Sequence, residues 1–224
     1  MSYRRTPFAP GEHYHCYTRG IDKRKVFETK QDYERFQQAL YLCNDSERFD
    51  RNNFFHHSHE KIFTLPRGTP LVAISSYTLI PNHFHIEFKE LVPGGSSKFL
   101  QKLGTSYTMY FNAKEGRIGS LFVTPCRSKH IANDRYLKHV IQYIHLNTAE
   151  LYEHGWKQGV IHNIKTLKKK MAVYPYSSLC DYIGPTRPER AILDRATMDM
   201  LRDELPPLER VVAEAEEYYK ELKY

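Results

Sequence analysis

Two histidines separated by one aromatic residue form the part of the sequence with the clearest chemical potential. His83 and His85 flank Phe84 within residues 80–88, IPNHFHIEF, a segment typical of a β-strand. Because side chains alternate between the faces of a strand, both histidines should share one face while Phe84 and Ile86 enter the core. Two such imidazoles can hold a divalent metal ion and leave most of its coordination sphere open to a substrate. The same spacing also fits a half-buried strand with two solvent-facing histidines.

A helix further along the chain supplies the groups that could complete a site. Residues 134–148 carry apolar side chains at the i, i+3, i+4, i+7 spacing of an amphipathic helix. Asn133 or Asp134 offers a side-chain oxygen to cap its first turn. Tyr143 and Asn147 are four positions apart and therefore lie one turn from each other on the same face, beside the apolar stripe. A tyrosine hydroxyl and a side-chain amide are thus expected at the edge of the core.

Four other polar residues lie close to these groups in the sequence. Tyr136 lies one turn before His139, and His139 one turn before Tyr143, so either could approach it. Glu87 continues the face of the histidine pair, where it could bind or orient a metal ion or form a solvated strand end. His145 points about 160° away from Tyr143 and should lie outside the site.

The ordered series of motifs resembles the REP-associated tyrosine transposases, a branch of the HUH single-strand endonucleases. Pro-Asn-His-Phe-His at 81–85 and Tyr-Ile-His-Leu-Asn at 143–147 carry the resemblance. Further matching segments, spread over roughly residues 12–185, lie at 14–20, 32–36, 106–112, 119–122 and 174–184. Thr148 departs from the pattern, since relatives commonly have proline after the helix asparagine, and 124–129 only partly matches the usual basic strand.

The resemblance implies metal-dependent cleavage and strand transfer of single-stranded DNA beside a DNA hairpin. Tyr143 would be the nucleophile, forming a 5′-phosphotyrosine link and a free 3′-OH, which conserves the bond energy for later joining. His83 and His85 would be metal ligands, and Asn147 would add its amide oxygen. A phenol of pKa about 10 is a weak nucleophile at neutral pH, so the phosphate must be polarised by a metal ion. The mixed imidazole and oxygen ligands suit Mg²⁺ or Mn²⁺.

The charge distribution indicates a polyanionic partner. The 224 residues contain 33 Lys and Arg against 26 Asp and Glu, a net charge of +7. Residues 186–224 hold 7 basic and 10 acidic residues, so residues 1–185 hold 26 basic and 16 acidic ones and carry +10. A basic core with an acidic tail favours nucleic acid binding that weakens with salt. The side chains predicted to contact DNA are Arg19, Lys23, Arg24, Lys25, Arg117, Arg127 and Lys129. Tyr17 or Phe122 could provide a face for base stacking.

Composition excludes several other classes of protein. The chain is 41% hydrophobic and 26% charged, and it has no apolar run near the ~20 residues that span a bilayer. The basic start at residues 1–6 is not followed by an apolar segment, so secretion is not indicated. Four scattered cysteines without a CxxC pair fit reduced thiols in a cytoplasmic protein.

The predicted elements indicate an α+β protein. They are strands at about 12–19, 71–79, 83–88, 121–124 and 129–132, and helices at about 30–43, 96–114 and 134–148. The tight turn at Pro81-Asn82 makes its two flanking strands antiparallel. We expect residues 1–185 to form one domain, with the ferredoxin-like antiparallel sheet flanked by helices that the resemblance implies. Residues 186–224 are expected to form an amphipathic helical segment, with pieces at about 188–205 and 208–223, which packs on the core or on a partner.

Two alternatives to the enzyme remain open on the sequence alone. A non-catalytic regulatory protein that binds hairpin DNA would keep the fold and the basic surface. A small-molecule metallohydrolase would use the histidine pair, but the +10 core and the lack of a clear third carboxylate or histidine ligand disfavour it. A homodimer is possible, and the sequence does not decide between a monomer and a dimer.

Overall fold

Four antiparallel strands form the central sheet. In this computed structural model, which describes residues 7–47, 57–201, 203–212 and 214, the strands are β1 (His13–Arg19), β2 (Val72–Ile80), β3 (His83–Glu90) and β4 (Arg127–Ile131). Their order in the sheet is β2-β3-β1-β4, and every neighbouring pair is antiparallel. With a helix between β1 and β2 and another between β3 and β4, this is the βαββαβ arrangement of the ferredoxin-like fold. The predicted α+β fold is therefore confirmed.

Seven α-helices, and a further helical stretch at 208–212, accompany the sheet in the described part of the chain. The seven helices are α1 (Lys30–Leu42), α2 (His59–Ile62), α3 (Gly95–Glu115), α4 (Asp134–Leu146), α5 (Ile164–Ala172), α6 (Leu179–Ile183) and α7 (Arg195–Leu201). A capping box starts α1, in which Thr29 and Asp32 exchange side-chain and backbone hydrogen bonds. Helix α3 starts after Gly94 without a side-chain cap from that residue. The Glu90 carboxylate instead accepts hydrogen bonds from the backbone N–H of Gly94 and Ser96 at 3.1 and 3.0 Å.

An aromatic core joins one face of the sheet to α1 and α3. Phe84 contacts Phe36 of α1, and Phe88 contacts Phe99 of α3, with ring centroids 4.8 and 5.8 Å apart. Tyr107 lies among them, completely buried, and its hydroxyl donates a hydrogen bond to the Val26 carbonyl at 2.5 Å. The alternation predicted for the histidine strand holds, because its aromatic and aliphatic side chains all enter this core.

Helix α4 covers the opposite face of the sheet, so that the sheet lies between two helical layers. Asn133 caps α4 by accepting a hydrogen bond from the Tyr136 N–H at 2.9 Å. The predicted stripe is buried: Leu137, Val140, Ile141, Ile144 and Thr148. All nine residues of β2 are buried as well, since both of its faces are covered.

The C-terminal region differs from the prediction in its local structure. Residues 188–205 do not form one helix, because a 3₁₀ turn at Pro188–Ile192 ends before α7 begins. Asp194 separates the two, with its N–H donating to the Ile74 carbonyl at 2.7 Å and its carboxylate capping α7 through the Thr197 N–H. Ile192, Met198, Leu201, Leu208 and Val211 are buried, so the described part of this region packs back on the core. Most of the predicted 208–223 helix lies outside the described residues.

One shorter prediction also needs correction. Residues 121–124 do not form a strand, because Phe122 makes only an isolated bridge to Gly20. The short helix α2 lies between α1 and β2. Within the described ranges, no helix is both long and apolar enough to cross a membrane.

Candidate metal and nucleic-acid site

The histidine pair lies on the sheet face that α4 covers. His83 and His85 are neighbours on that face, with ring centroids 5.1 Å apart. His83 Nδ1 donates a hydrogen bond to Asn82 Oδ1 at 2.7 Å, which places the proton on Nδ1 and leaves the Nε2 lone pair for a ligand. Burial lowers the pKa of His83 to about 4, and burial together with His15 and His83 lowers the pKa of His85 well below its usual value. Both imidazoles are therefore neutral at pH 7, the form that binds a metal ion.

A third histidine, which sequence reasoning did not single out, supports the pair. His15 Nε2 lies 2.9 Å from His85 Nδ1, and the two rings stack at 5.1 Å. His15 is fully buried, and this burial lowers the pKa of its imidazole to about 3, with the Lys129 ammonium acting in the same direction. The signal that could have found it is the alternation of His13, His15 and Tyr17 on β1, which marks a polar face facing the same way as the pair.

Tyr143 lies directly against these imidazoles. Its ring centroid is 6.1 Å from that of His15, 6.2 Å from that of His85 and 6.0 Å from that of Trp156. The residue is only 1% exposed. The structure thus brings the predicted nucleophile to the predicted metal ligands, but in a position where its side chain is covered.

Asn147 follows at the C-terminal cap of α4. It is fully buried, and its Nδ2 donates a hydrogen bond to the Tyr143 carbonyl at 2.8 Å. This contact uses the amide nitrogen, so Oδ1 is the side-chain atom suited to a metal ion. Among the described residues, no group of three or more His, Cys, Asp or Glu is arranged to hold a metal ion. A metal ion at the pair would therefore need oxygen ligands of another kind, such as a side-chain amide oxygen or the oxygens of a phosphate.

A cavity opens beside the pair at the ends of β1 and β3. Its volume is about 350 Å³. It is lined by Tyr17, Thr18, Arg19, Lys23, Asn82, His83, His85, Val123, Arg127, Glu150 and Lys157. Four cationic side chains and two neutral imidazoles around one cavity form an environment suited to a phosphate group.

The predicted DNA contacts divide into two groups. Arg19, Lys23 and Arg127 line the cavity. Lys23 sits there in a left-handed conformation with φ of 58°, which is uncommon outside glycine. The other four lie elsewhere, and none of them lines the cavity. Arg24 binds the Ile21 carbonyl and Asp22, Arg117 binds Asn112, Lys129 lies 5.2 Å from the Tyr136 ring centroid, and Lys25 is exposed.

Tyr17 is the tyrosine that lines the cavity. Its ring stacks on His85 with centroids 5.4 Å apart and an interplanar angle of 16°. Arg127 is its register partner on β4 and hydrogen-bonds its hydroxyl. Burial raises the pKa of Tyr17, while Arg127 opposes that rise. Tyr17 and Arg127 thus supply a hydroxyl and a guanidinium to the lining of the cavity.

Lys157 and Glu150 also line the cavity, and sequence reasoning missed both. They make an ion pair with each other in which both side chains are about one third exposed. Glu150 belongs to the 3₁₀ turn Asn147–Leu151 that continues α4, and Lys157 follows Trp156. The Lys157 ammonium favours an anionic ligand in the cavity. Without such a ligand, the Glu150 carboxylate fixes the position of the ammonium.

The remaining candidates occupy other places. Glu87 Oε1 accepts a hydrogen bond from His13 Nδ1 at 2.8 Å, and Glu87 is fully buried. His145 lies 2.9 Å from Ser178 Oγ through Nε2 and packs on Tyr182, away from the pair as predicted. His139 pairs with Glu214 at 2.9 Å.

The fold is similar to that of a solved structure. The chain is similar to a solved structure of a REP-associated tyrosine transposase bound to a REP hairpin, with a TM-score of 0.51 and 17% sequence identity. The match covers 82% of this chain and 86% of that chain. At this identity the likeness shows a shared α+β fold. No family model and no curated protein matches the sequence.

Proposed function

We propose that the protein is a metal-dependent, single-strand-specific DNA endonuclease and strand transferase that uses Tyr143 as its nucleophile and acts beside a DNA hairpin. The observation that carries the proposal is the contact of Tyr143 with His15 and His85 at 6.1 and 6.2 Å, next to a cavity lined by cations. The fold shared with a hairpin-bound tyrosine transposase supports it.

The proposal includes a metal ion, for which neutral imidazoles and an amide oxygen are suitable ligands. His83, His85 and Asn147 would hold Mg²⁺ or Mn²⁺, which would polarise the scissile phosphate and stabilise charge on the leaving oxygen. Asn82 and His15 would fix the orientation and tautomer of the two imidazoles, as partners of metal-bound histidines commonly do. Arg19, Arg127 and Lys157 would hold the DNA backbone in the cavity.

The covalent step is a transfer of the phosphoryl group. The Tyr143 oxygen forms a bond to phosphorus, the bond from phosphorus to O3′ breaks, and the phenol proton is released as the leaving oxygen gains one and becomes a 3′-OH. Because Tyr143 is 1% exposed against Trp156, this chemistry requires a movement that uncovers its hydroxyl. The 3₁₀ turn Trp156–Gln158, which carries the cavity residue Lys157, is the neighbouring cover.

The burial of Tyr143 also favours a second candidate function. A non-catalytic protein that binds hairpin DNA for regulation would need the cavity and its cations but not an accessible hydroxyl. Both functions call for salt-sensitive DNA binding, and only the enzyme forms a covalent adduct.

A covalent-capture assay separates these functions. Single-stranded DNA from regions flanking the gene, labelled at its 3′ end, is incubated with the protein and Mn²⁺ and then run on a denaturing gel. We expect a protein–DNA band that requires the metal ion, is lost in Tyr143→Phe and persists in Tyr136→Phe, the matched change on the same helix. Loss of the band in Tyr136→Phe instead would make Tyr136 the nucleophile. Salt-sensitive hairpin binding without any band in the wild-type protein would favour the non-catalytic function.

A further inference from the structure

The most basic segment of the chain lies outside the cavity. Residues 154–180 contain five lysines and no Asp or Glu. One of them, Lys157, lines the cavity, and the other four lie on α5: Lys165, Lys168, Lys169 and Lys170. Half of the +10 charge of residues 1–185 therefore comes from this single segment.

Helix α5 presents its lysines to solvent from a fixed position. Leu167 and Met171, four positions apart, are buried and anchor one face of the helix. At 100° per residue, Lys165 and Lys169 point about opposite to that face, and Lys168 and Lys170 flank them. All four are exposed. The helix thus carries a broad cationic face on a rigid support.

The stability of α5 accounts for only part of this positive charge. Lys169 and Lys170 lie in the last turn, where cations interact favourably with the helix dipole. Lys165 lies in the first turn, where a cation is unfavourable, and its like-charged neighbour one turn on is Lys169. Among the described residues, only Lys168 of the four has a carboxylate partner, Glu209. An external polyanion would relieve this repulsion.

The lysine face adjoins the candidate site. Lys170 Nζ lies 5.0 Å from the ring centroid of Tyr152, which directly follows the 3₁₀ turn Asn147–Leu151. That turn carries Glu150, the cavity partner of Lys157. The α5 lysine Lys170 and the cavity lysine Lys157 therefore contact the same short stretch of chain, at Tyr152 and Glu150.

We propose that the lysine face of α5 binds the phosphate backbone of the duplex stem of a DNA hairpin whose adjacent single strand enters the cavity. This inference rests on the proposed function and adds a second surface to it. A row of cations on a rigid helix suits the closely spaced phosphates of a duplex, while a cavity of about 350 Å³ suits a single strand.

The test compares two DNA probes by fluorescence anisotropy in EDTA. One is a hairpin with a single-stranded extension, and the other is the same extension without the stem. We expect Lys165→Gln/Lys169→Gln to weaken hairpin binding roughly tenfold and to reduce the salt slope by about 2, because two phosphate contacts are lost. Binding of the extension alone should be unchanged. Glutamine preserves helix propensity, and thermal melting confirms folding.

The control variant, Lys61→Gln/Lys98→Gln, removes the same charge from two exposed lysines on α2 and α3. Hairpin binding equal to that control would overturn the inference. Equal loss on both probes would also overturn it, because the surface would then hold the single strand. Covalent capture of DNA from the flanking regions by the wild-type protein tests the proposed function separately, since that result depends on Tyr143 and is obtained with all four α5 lysines in place.

Discussion

His15 Nε2 and His85 Nδ1 lie 2.9 Å apart in a hydrogen bond between two buried imidazoles. Since both rings are neutral at pH 7, one nitrogen donates and the other accepts. In the tautomer in which His85 donates through Nδ1, its Nε2 lone pair is left for a ligand. In that tautomer, His15 on β1 holds His85 on β3 in the form that a metal ion requires.

We predict that His15→Phe lowers the affinity for Mn²⁺ about 10- to 100-fold, because His85 loses the partner that orients it. Phenylalanine retains an aromatic ring beside Tyr17 and Tyr143, so packing is largely preserved. Titration of the protein with Mn²⁺, followed by electron paramagnetic resonance, measures the change. His130→Phe is the control, since His130 pairs with Glu12 at the surface. Equal affinities in the two variants would contradict the role of His15.

We predict that Tyr17→Phe weakens binding of linear single-stranded DNA by about three- to tenfold, the effect of losing one hydrogen bond of about 0.5–1.5 kcal/mol. The hydroxyl beside Arg127 is lost, but the ring that stacks on His85 remains, so Mn²⁺ affinity should not change. Anisotropy and the metal titration measure the two effects separately. Tyr176→Phe, which alters a half-buried tyrosine stacked on Tyr33, should leave both unchanged. A change in metal affinity without a change in DNA binding would assign Tyr17 to support of His85 instead.

We predict that Arg187→Met destabilises the protein by about 3–5 kcal/mol, because it leaves the carboxylate of Asp181 buried and unpaired. Arg187 binds both oxygens of Asp181, at 2.8 and 2.7 Å, and also donates to the Ser177 carbonyl at 2.9 Å. Urea unfolding measures the loss. Arg190→Met is the control, since Arg190 makes a longer, partly exposed pair with Asp199 at 3.7 Å and a hydrogen bond to Thr186 at 3.4 Å, and its loss should cost at most about 1 kcal/mol.

A further variant tests whether the charge itself is the cause. Adding Asp181→Leu to Arg187→Met should recover part of the lost stability, because no unpaired charge is then buried. If the double variant is no more stable than Arg187→Met alone, the unpaired carboxylate of Asp181 is not the cause of the loss, and the contacts of Arg187 with backbone carbonyls are the larger contribution.

We predict that the stability advantage of wild-type protein over Asp32→Asn shrinks as the pH falls below about 4. Burial raises the pKa of Asp32, but hydrogen bonds from the Glu28 and Thr29 amides, Tyr110 and Lys114 outweigh it and hold the pKa below its usual value. A carboxyl with a lowered pKa in the folded state contributes stability above its unfolded pKa, and this contribution is lost as the pH falls toward the folded pKa.

Urea unfolding of both proteins at several pH values measures this effect. The difference in the free energy of unfolding should be constant from pH 8 to pH 5 and smaller at pH 3. A difference that does not vary with pH would show that Asp32 acts through shape and neutral hydrogen bonds alone, without its charge.

The local spacing of polar and apolar residues determined most of the helices and strands. The alternation of polar and apolar residues around His83 and His85 placed both imidazoles on one face, since the geometry of a strand allows nothing else. The apolar spacing of α4 likewise put Tyr143 and Asn147 on one side of that helix. The short turn at Pro81-Asn82 required antiparallel strands, and antiparallel strands are what β2 and β3 form.

Only the tertiary structure decided which of these groups meet. His15 contacts His85 because β1 pairs with β3 in one particular register, and register depends on long-range packing that local spacing does not contain. Lys157 and Glu150 reach the cavity because the chain beyond α4 folds back over the sheet. The same folding buries Tyr143 beneath Trp156, since a side chain on the inner face of a packed helix is covered by whatever later segment closes over it.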